Sequence, residues 1–168
     1  MQSESARAAS AAEARFRIDA PNSRPRAVKV IALDRESVGV VKRLAQSDWA
    51  HASFLTTMTS APPPGQPFSM SGWLGDLAGH TKNLIDEIDA ADLVVMIATA
   101  GENAEAASII GEACSLKRVT TTALVVTAPA VSDTALAQSL AQLRPWALML
   151  VVASAEDYIA DMLVALRA

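Results

Sequence analysis

The sequence predicts an α/β protein, a three-layer sandwich built on a mainly parallel sheet of five or six strands. Two observations predict this class. From residue 25 onward, short apolar runs alternate with stretches of helical periodicity, the signature of parallel strands joined by crossover helices. One apolar run, at residues 92–100, has no polar interruption after its first residue until Thr99, as expected of a central strand buried on both faces.

Composition is consistent with one globular domain preceded by a tail. Hydrophobic residues make up 51% and charged residues 19% of the 168-residue chain, typical of a folded protein. Residues 1–24 contain few large apolar side chains and end in a Pro-Asn-Ser turn cluster, so they are predicted to be disordered. Residues 25–168 are predicted to form a single α/β domain.

The first half of the domain begins with an apolar run and then an amphipathic pattern, which predict a strand at 27–33 and a helix at 35–45. A second apolar run predicts a strand at 52–58. Four prolines exclude regular structure from 59–72, because proline lacks the N–H donor and fixes φ. Leucine and isoleucine at helical spacing then predict a helix over 73–89.

The second half repeats the alternation of strands and helices. Strands are predicted at 92–100, 122–128 and 146–153. Helices are predicted at 102–115, 133–143 and 155–168. This alternation is Rossmann-like, and a flavodoxin-like or generic Rossmann-like domain is an alternative interpretation of it.

Four segments, in this order, resemble the nucleotide-binding domain of the FtsZ/tubulin family. They are "VKVIALDRESVGVVKRLAQSDWAHASFLTTMTSA", "IDEIDAADLVVMIATAG", "SIIGEACSLKRVTTTALVVTAPA" and "LAQLRPWALMLVVASAEDYI", and they span about residues 28 to 160. The resemblance implies an FtsZ/tubulin N-terminal-domain-like fold. For a typical member it would also imply GTP binding and hydrolysis.

The two phosphate-binding loops of that family are replaced here. A run of glycines is expected after the first strand, but the chain has Leu33-Asp34-Arg35-Glu36-Ser37-Val38-Gly39. The family's GGGTGTG loop is replaced by Gly101-Glu102-Asn103-Ala104-Glu105-Ala106-Ala107. Glycines let the main chain approach a pyrophosphate and adopt φ > 0, and added carboxylates repel phosphate. GTP binding and GTPase activity are therefore not expected, and no cofactor or catalytic residue is assigned.

The departure from the family pattern also extends to the end of the chain. The family's catalytic acidic loop and second domain would follow residue 168. We therefore expect a domain that has lost nucleotide chemistry and serves as an interaction or regulatory module, with a protein partner or a second copy. The alternative is a small-molecule or nucleotide-binding protein that uses the crevice at the carboxyl ends of the strands.

The crevice alternative names candidate ligand-binding residues on two loops. They are Asp34, Arg35, Glu36, Gly101, Glu102 and Asn103. Two interpretations of Asp34 are open, a ligand pocket and a helix N-cap. Likewise, Glu102 and Glu105 either line a site for a cationic or metal-bearing ligand or complement a helix dipole in the first helical turn.

Candidate partner-binding residues lie in and just after the proline-rich segment: Phe68, Met70 and Trp73. Aromatic residues and methionine are enriched in the cores of protein interfaces. These three are therefore predicted either to dock a partner or to fold back over the domain.

The remaining reactive residues predict no further chemistry. His51 and His80 lack the spacing of metal ligands and are expected on the surface or in loops, so no metal is assigned. Cys114 is the only cysteine and is expected to be a small core residue in a reducing compartment.

Charge and hydropathy exclude several partners and locations. The net charge of −4 gives no basic surface for nucleic acid. The apolar runs are too short to cross a membrane. A cytoplasmic protein is expected.

Overall fold

The computed structural model describes residues 25–57, 73–154 and 156–168. The predicted tail at 1–24, most of the proline-rich segment, and Phe68 and Met70 lie outside the described residues, as does the side chain of Trp73. The strands are β1 Val28–Ala32, β2 Ala52–Thr56, β3 Trp73–Asp76, β4 Thr81–Asn83, β5 Leu93–Thr99, β6 Thr120–Val126 and β7 Met149–Ala153. The helices are α1 Arg35–Leu44, α2 Leu84–Asp89, α3 Ala106–Lys117, α4 Asp133–Leu143 and α5 Glu156–Ala165, and a 3-10 turn lies at Arg144–Trp146.

The described strands form one seven-stranded sheet in the order β4-β3-β2-β1-β5-β6-β7. The pairs β1–β2, β1–β5, β5–β6 and β6–β7 are parallel. The pairs β2–β3 and β3–β4 are antiparallel. The α/β class and the mainly parallel sheet are therefore confirmed, but the sheet is mixed and larger than the predicted five or six strands.

The two extra strands lie where a helix was predicted over 73–89. Helix α2 occupies only the last third of that range, and a hairpin of β3 and β4 precedes it. The Asp76 carboxylate accepts hydrogen bonds from the N–H groups of Ala78 and His80, at 2.9 and 2.8 Å. Gly79 takes a φ of +90°, which side chains with a Cβ rarely adopt. These local contacts favour a tight turn over helix continuation.

Helices cover both faces of the sheet and make it the middle of three layers. One apolar cluster joins the sheet to residues of α2, α3 and α4, and a second joins it to α1 and α5. Strand β5 supplies both clusters alternately, with Met96 in the first and Ile97 in the second, each fully buried. Burial of such a side chain stabilises the fold by about 1.5–3 kcal/mol. Because β5 is buried on both faces, it is confirmed as the predicted central strand.

The five parallel strands have the spatial order 2-1-3-4-5 in chain sequence, which is the order of flavodoxin-like doubly wound sheets. The chain leaves β1 through α1, on one face, and leaves β5 through α3, on the other. The connections after these neighbouring strands therefore diverge. Such a switch point opens a crevice outside the carboxyl ends of the strands.

Candidate functional site

The turn after β1 is closed by its own aspartate. One Asp34 carboxylate oxygen accepts from the Ser37 N–H at 2.8 Å, and the Ser37 hydroxyl accepts from the Asp34 N–H at 3.1 Å, forming a reciprocal capping box at the start of α1. The other oxygen accepts from the Thr99 N–H, at the end of β5, at 2.7 Å. Asp34 is only 4% exposed. Both oxygens thus bind main chain, and the N-cap interpretation is confirmed.

The turn after β5 uses most of its main-chain donors internally. Gly101, at φ +90°, donates its N–H to the Ser139 hydroxyl at 2.9 Å. Further along, the Ala104 N–H donates to the Gln142 side-chain oxygen at 3.0 Å. The Ala100 N–H donates to the Val126 carbonyl, and the Glu102 N–H donates to the Thr99 carbonyl. The Glu105 N–H donates to the Asn103 side-chain oxygen. Five of the six N–H groups from Ala100 to Glu105 therefore already have protein acceptors.

These contacts also delay the start of the next helix. Helix α3 begins at Ala106, not at the predicted Glu102, and its first turn contains no acidic residue. Glu105 occupies the N-cap position and makes no side-chain capping hydrogen bond, while Glu102 lies in the preceding turn. The prediction that both glutamates stand in the first helical turn is wrong, because distant side chains hold this segment in a non-helical conformation.

A groove of about 700 Å³ lies at the switch point. Its apolar lining is Leu33, Leu74, Leu84, Ala106, Ile109 and Ile110. Its polar and charged lining includes Asp34, Arg35, Thr57, Glu102, Asn103, Glu105 and Ser108. The groove thus combines apolar side chains with polar groups from two loops, as small-molecule sites commonly do.

Four of the six predicted ligand residues line this groove: Asp34, Arg35, Glu102 and Asn103. The lining does not include Glu36 or Gly101. Its apolar part was missed in the sequence because it comes from α3, the start of α2 and the unpredicted hairpin. Gly75 and Gly79, within "WLGDLAGH", were the available signal for that hairpin.

Three charged side chains at the groove have no ion-pair partner among the described residues. Arg35, Glu102 and Glu105 are exposed and line the groove. The described ion pairs involve other residues: Lys29–Glu87, Arg43–Glu156, His80–Asp76 and Lys117–Asp89. Opposite charges from two loops are therefore available to a ligand at this site.

The other reactive residues lie away from the groove. In the parts of the chain that the structure describes, no group of three or more His, Cys, Asp or Glu could hold a metal ion. His51 and His80 are both exposed, as predicted. The His80 ring lies 3.0 Å from the Asp76 carboxylate, and hydrogen bonding from the His80 main chain lowers the pKa of Asp76.

Cys114 has the environment of a core residue. Its side chain is fully buried in α3. Burial raises the pKa of the thiol to about 11, so little nucleophilic thiolate forms at neutral pH. The prediction of a core role is confirmed.

The fold and the groove together define a doubly wound α/β domain with a crevice at its switch point. No family model matches the chain, and no curated protein matches it. Among the helices that the structure describes, none is sufficiently long and apolar to cross a membrane.

Proposed function

We propose that this chain is an FtsZ/tubulin-like domain that has lost GTP binding and hydrolysis and acts as an interaction or regulatory module. The order of the four resembling segments supports the family relationship. The observation that carries the loss of nucleotide chemistry is the turn after β5, where five of six main-chain N–H groups already donate to protein oxygens.

A nucleoside triphosphate needs free main-chain N–H groups at such a turn to bind its phosphates. Binding GTP here would require breaking the hydrogen bonds from Gly101 and Ala104 to α4 side chains. It would also bring phosphate toward Glu102 and Glu105, which line the groove. Like charges at contact distance repel by about 4 kcal/mol at an effective dielectric near 20. The helix dipole offers only about 0.3–1 kcal/mol in return.

Calorimetric titration and thermal unfolding with GTP, GDP and Mg²⁺ test this proposal. We expect neither heat of binding nor a shift in Tm, and no phosphate release. A ligand at 100 times its Kd would stabilise the fold by about 2.7 kcal/mol, so binding would be readily detected. Saturable GTP binding, with or without phosphate release, would overturn the proposal.

A double variant, Glu102→Gln with Glu105→Gln, separates charge from donor occupancy. Both residues are exposed, so the substitutions should leave the fold intact. We expect the variant still to bind no GTP, because the main-chain donors remain occupied. GTP binding by this variant alone would mean that repulsion, and not the closed turn, excludes the nucleotide.

The groove itself favours a second candidate function, the binding of a small zwitterion with an apolar body. Arg35 supplies a positive charge from the β1 turn, and Glu102 and Glu105 supply negative charges from the β5 turn. The apolar lining lies in the same groove. A ligand with one carboxylate, one amine and an aliphatic or aromatic group would match all three features.

Thermal shift with leucine, phenylalanine and their uncharged or singly charged analogues tests this candidate. We expect the zwitterions to raise Tm more than either the amine or the acid alone. Arg35→Gln should remove the preference for the carboxylate, and Glu36→Gln, its exposed neighbour outside the groove, should not. Equal shifts for all analogues, or none, would exclude this ligand class.

A further inference from the structure

The two edges of the sheet differ in their protection against strand pairing. The β4 edge is only three residues long and contains Lys82, both common means of blocking an edge. At the other edge, β7 consists of Met149-Leu150-Val151-Val152-Ala153. No charged residue or proline occurs from Trp146 to Ser154. The second edge thus lacks the usual sequence safeguards.

Exposed apolar side chains are concentrated in β7, in the residue before it and in helix α5 after it. The described residues include seven exposed large hydrophobic residues, and five of them lie between Leu148 and Val164. Leu148 is 83% exposed, while Met149 and Val152, in β7 itself, are 40% and 43% exposed. Clustered apolar exposure marks interaction surfaces. Among the described residues near β4, Ile85 is the exposed large hydrophobic residue, at 39%.

Within the described residues, β7 pairs with β6 alone, so its outer side has no strand neighbour there. We propose that β7 pairs antiparallel with β7 of a second copy and joins two seven-stranded sheets into one. This deepens the interaction function proposed above by naming the partner and the surface.

The chemistry of the strand favours a second copy over an unrelated partner. In a two-fold interface each residue at the axis meets its own copy, so a charge there would face a like charge. A pair centred on Val151 would place Met149 opposite Ala153 and Leu150 opposite Val152. Every facing pair is apolar. A surface without charge suits self-pairing, because it offers nothing to select a differently charged partner.

Sedimentation equilibrium of the full chain over a range of concentrations tests the proposal. We expect a reversible monomer–dimer equilibrium. Val152→Lys should abolish the dimer at concentrations where the unmodified chain is dimeric, because lysine at an edge opposes pairing. Ile85→Lys is the matched control, since Ile85 has similar exposure but lies in α2, near the other edge. It should leave the dimer intact.

Hydrogen exchange distinguishes strand pairing from other contacts. In the dimer, amides of Met149–Ala153 should exchange more slowly as concentration rises, while those of β4 should not change. A monomer at every concentration, or a dimer lost equally in both lysine variants, would overturn the inference. A dimer without this protection, or heterologous binding by a monomer, would also overturn it. The GTP titration does not depend on β7. A negative result for the dimer would therefore leave the proposed loss of GTP binding untouched, and the two proposals can fail separately.

Discussion

At the carboxyl end of the sheet, side-chain hydrogen bonds fix the turns after β1 and β5, through Asp34 and Ser139. At the amino end, close packing fixes α3, where Gly111 lies against Trp146. A groove opens at each end, of about 700 and 450 Å³. The carboxyl end has therefore used its main-chain donors internally, whereas the amino end is shaped by steric fit.

Removal of the Asp34 carboxylate should have the largest effect. Asp34→Ala is expected to lower the free energy of unfolding by about 3 kcal/mol. The lost N-cap accounts for about 1 kcal/mol, and the lost charge-assisted bond to Thr99 for about 1.5–3 kcal/mol. Urea unfolding measures the change. Glu36→Ala, an exposed neighbour in the same helical turn, should change stability by less than about 0.5 kcal/mol. Equal losses in the two variants would mean that the hydrogen bonds of Asp34 do not fix the turns at this end of the sheet.

A methyl group at Gly111, at the amino end of the sheet, should have the next largest effect. A Cβ there would lie 2.5 Å from the Trp146 Cβ, too close without displacement of the 3-10 turn. Gly111→Ala should therefore destabilise the fold by about 2 kcal/mol, as overpacking typically does. Thermal unfolding monitored by circular dichroism measures this change.

Gly39→Ala is the control, in helix α1. Its nearest contact would be the Arg43 guanidinium, at 3.4 Å, which is the end of a long exposed side chain. Alanine is favoured over glycine in a helix by about 0.5–1 kcal/mol, so this variant should be slightly more stable. If both alanine variants changed stability in the same direction, steric fit would not distinguish Gly111.

The buried thiol of Cys114 makes the free energy of unfolding depend on pH. Because the pKa of Cys114 is raised from 9.0 to about 11, its contribution to stability is fully present below pH 9. It is lost as pH rises through about 11. The loss approaches roughly 1.4 kcal/mol for each pH unit between the two pKa values, which is about 2–3 kcal/mol by pH 11. Denaturant unfolding at pH 8 and pH 11 should show a smaller loss for Cys114→Ala than for the unmodified chain. An identical loss would mean that Cys114 does not ionise unfavourably in the fold.

Local sequence patterns were sufficient for the parallel core and for one of the two turns. Strand β5 was predictable because its apolar run has no polar break before Thr99, the last residue of the strand. The first turn was predictable because Asp34 directly precedes the periodic residues of α1. The start of α3 was not predictable in this way. It depends on Ser139 and Gln142, each 38 residues beyond the main-chain group it binds.

The hairpin shows a second limit of local patterns. Leucines in 73–89 have helical spacing, yet Leu74 and Leu77 pack in different apolar clusters, on opposite faces of the sheet. The chain reverses after Leu74, in a turn from Asp76 to Gly79 that contains Leu77. Spacing alone could not reveal which face each leucine covers.

The smallest effect is expected from Gly101→Ala, at the carboxyl end of the sheet. A Cβ at this position would lie 3.5 Å from the Ala135 Cβ, an ordinary contact. The substitution therefore adds only backbone strain, because φ is +90°. We expect a loss of about 1 kcal/mol in the free energy of unfolding, measured by urea titration. Ser139→Ala removes the hydrogen bond to the same residue without strain and should cost a similar amount. If Gly101→Ala were as damaging as Gly111→Ala, steric fit would govern both ends, and the proposed contrast between them would fail.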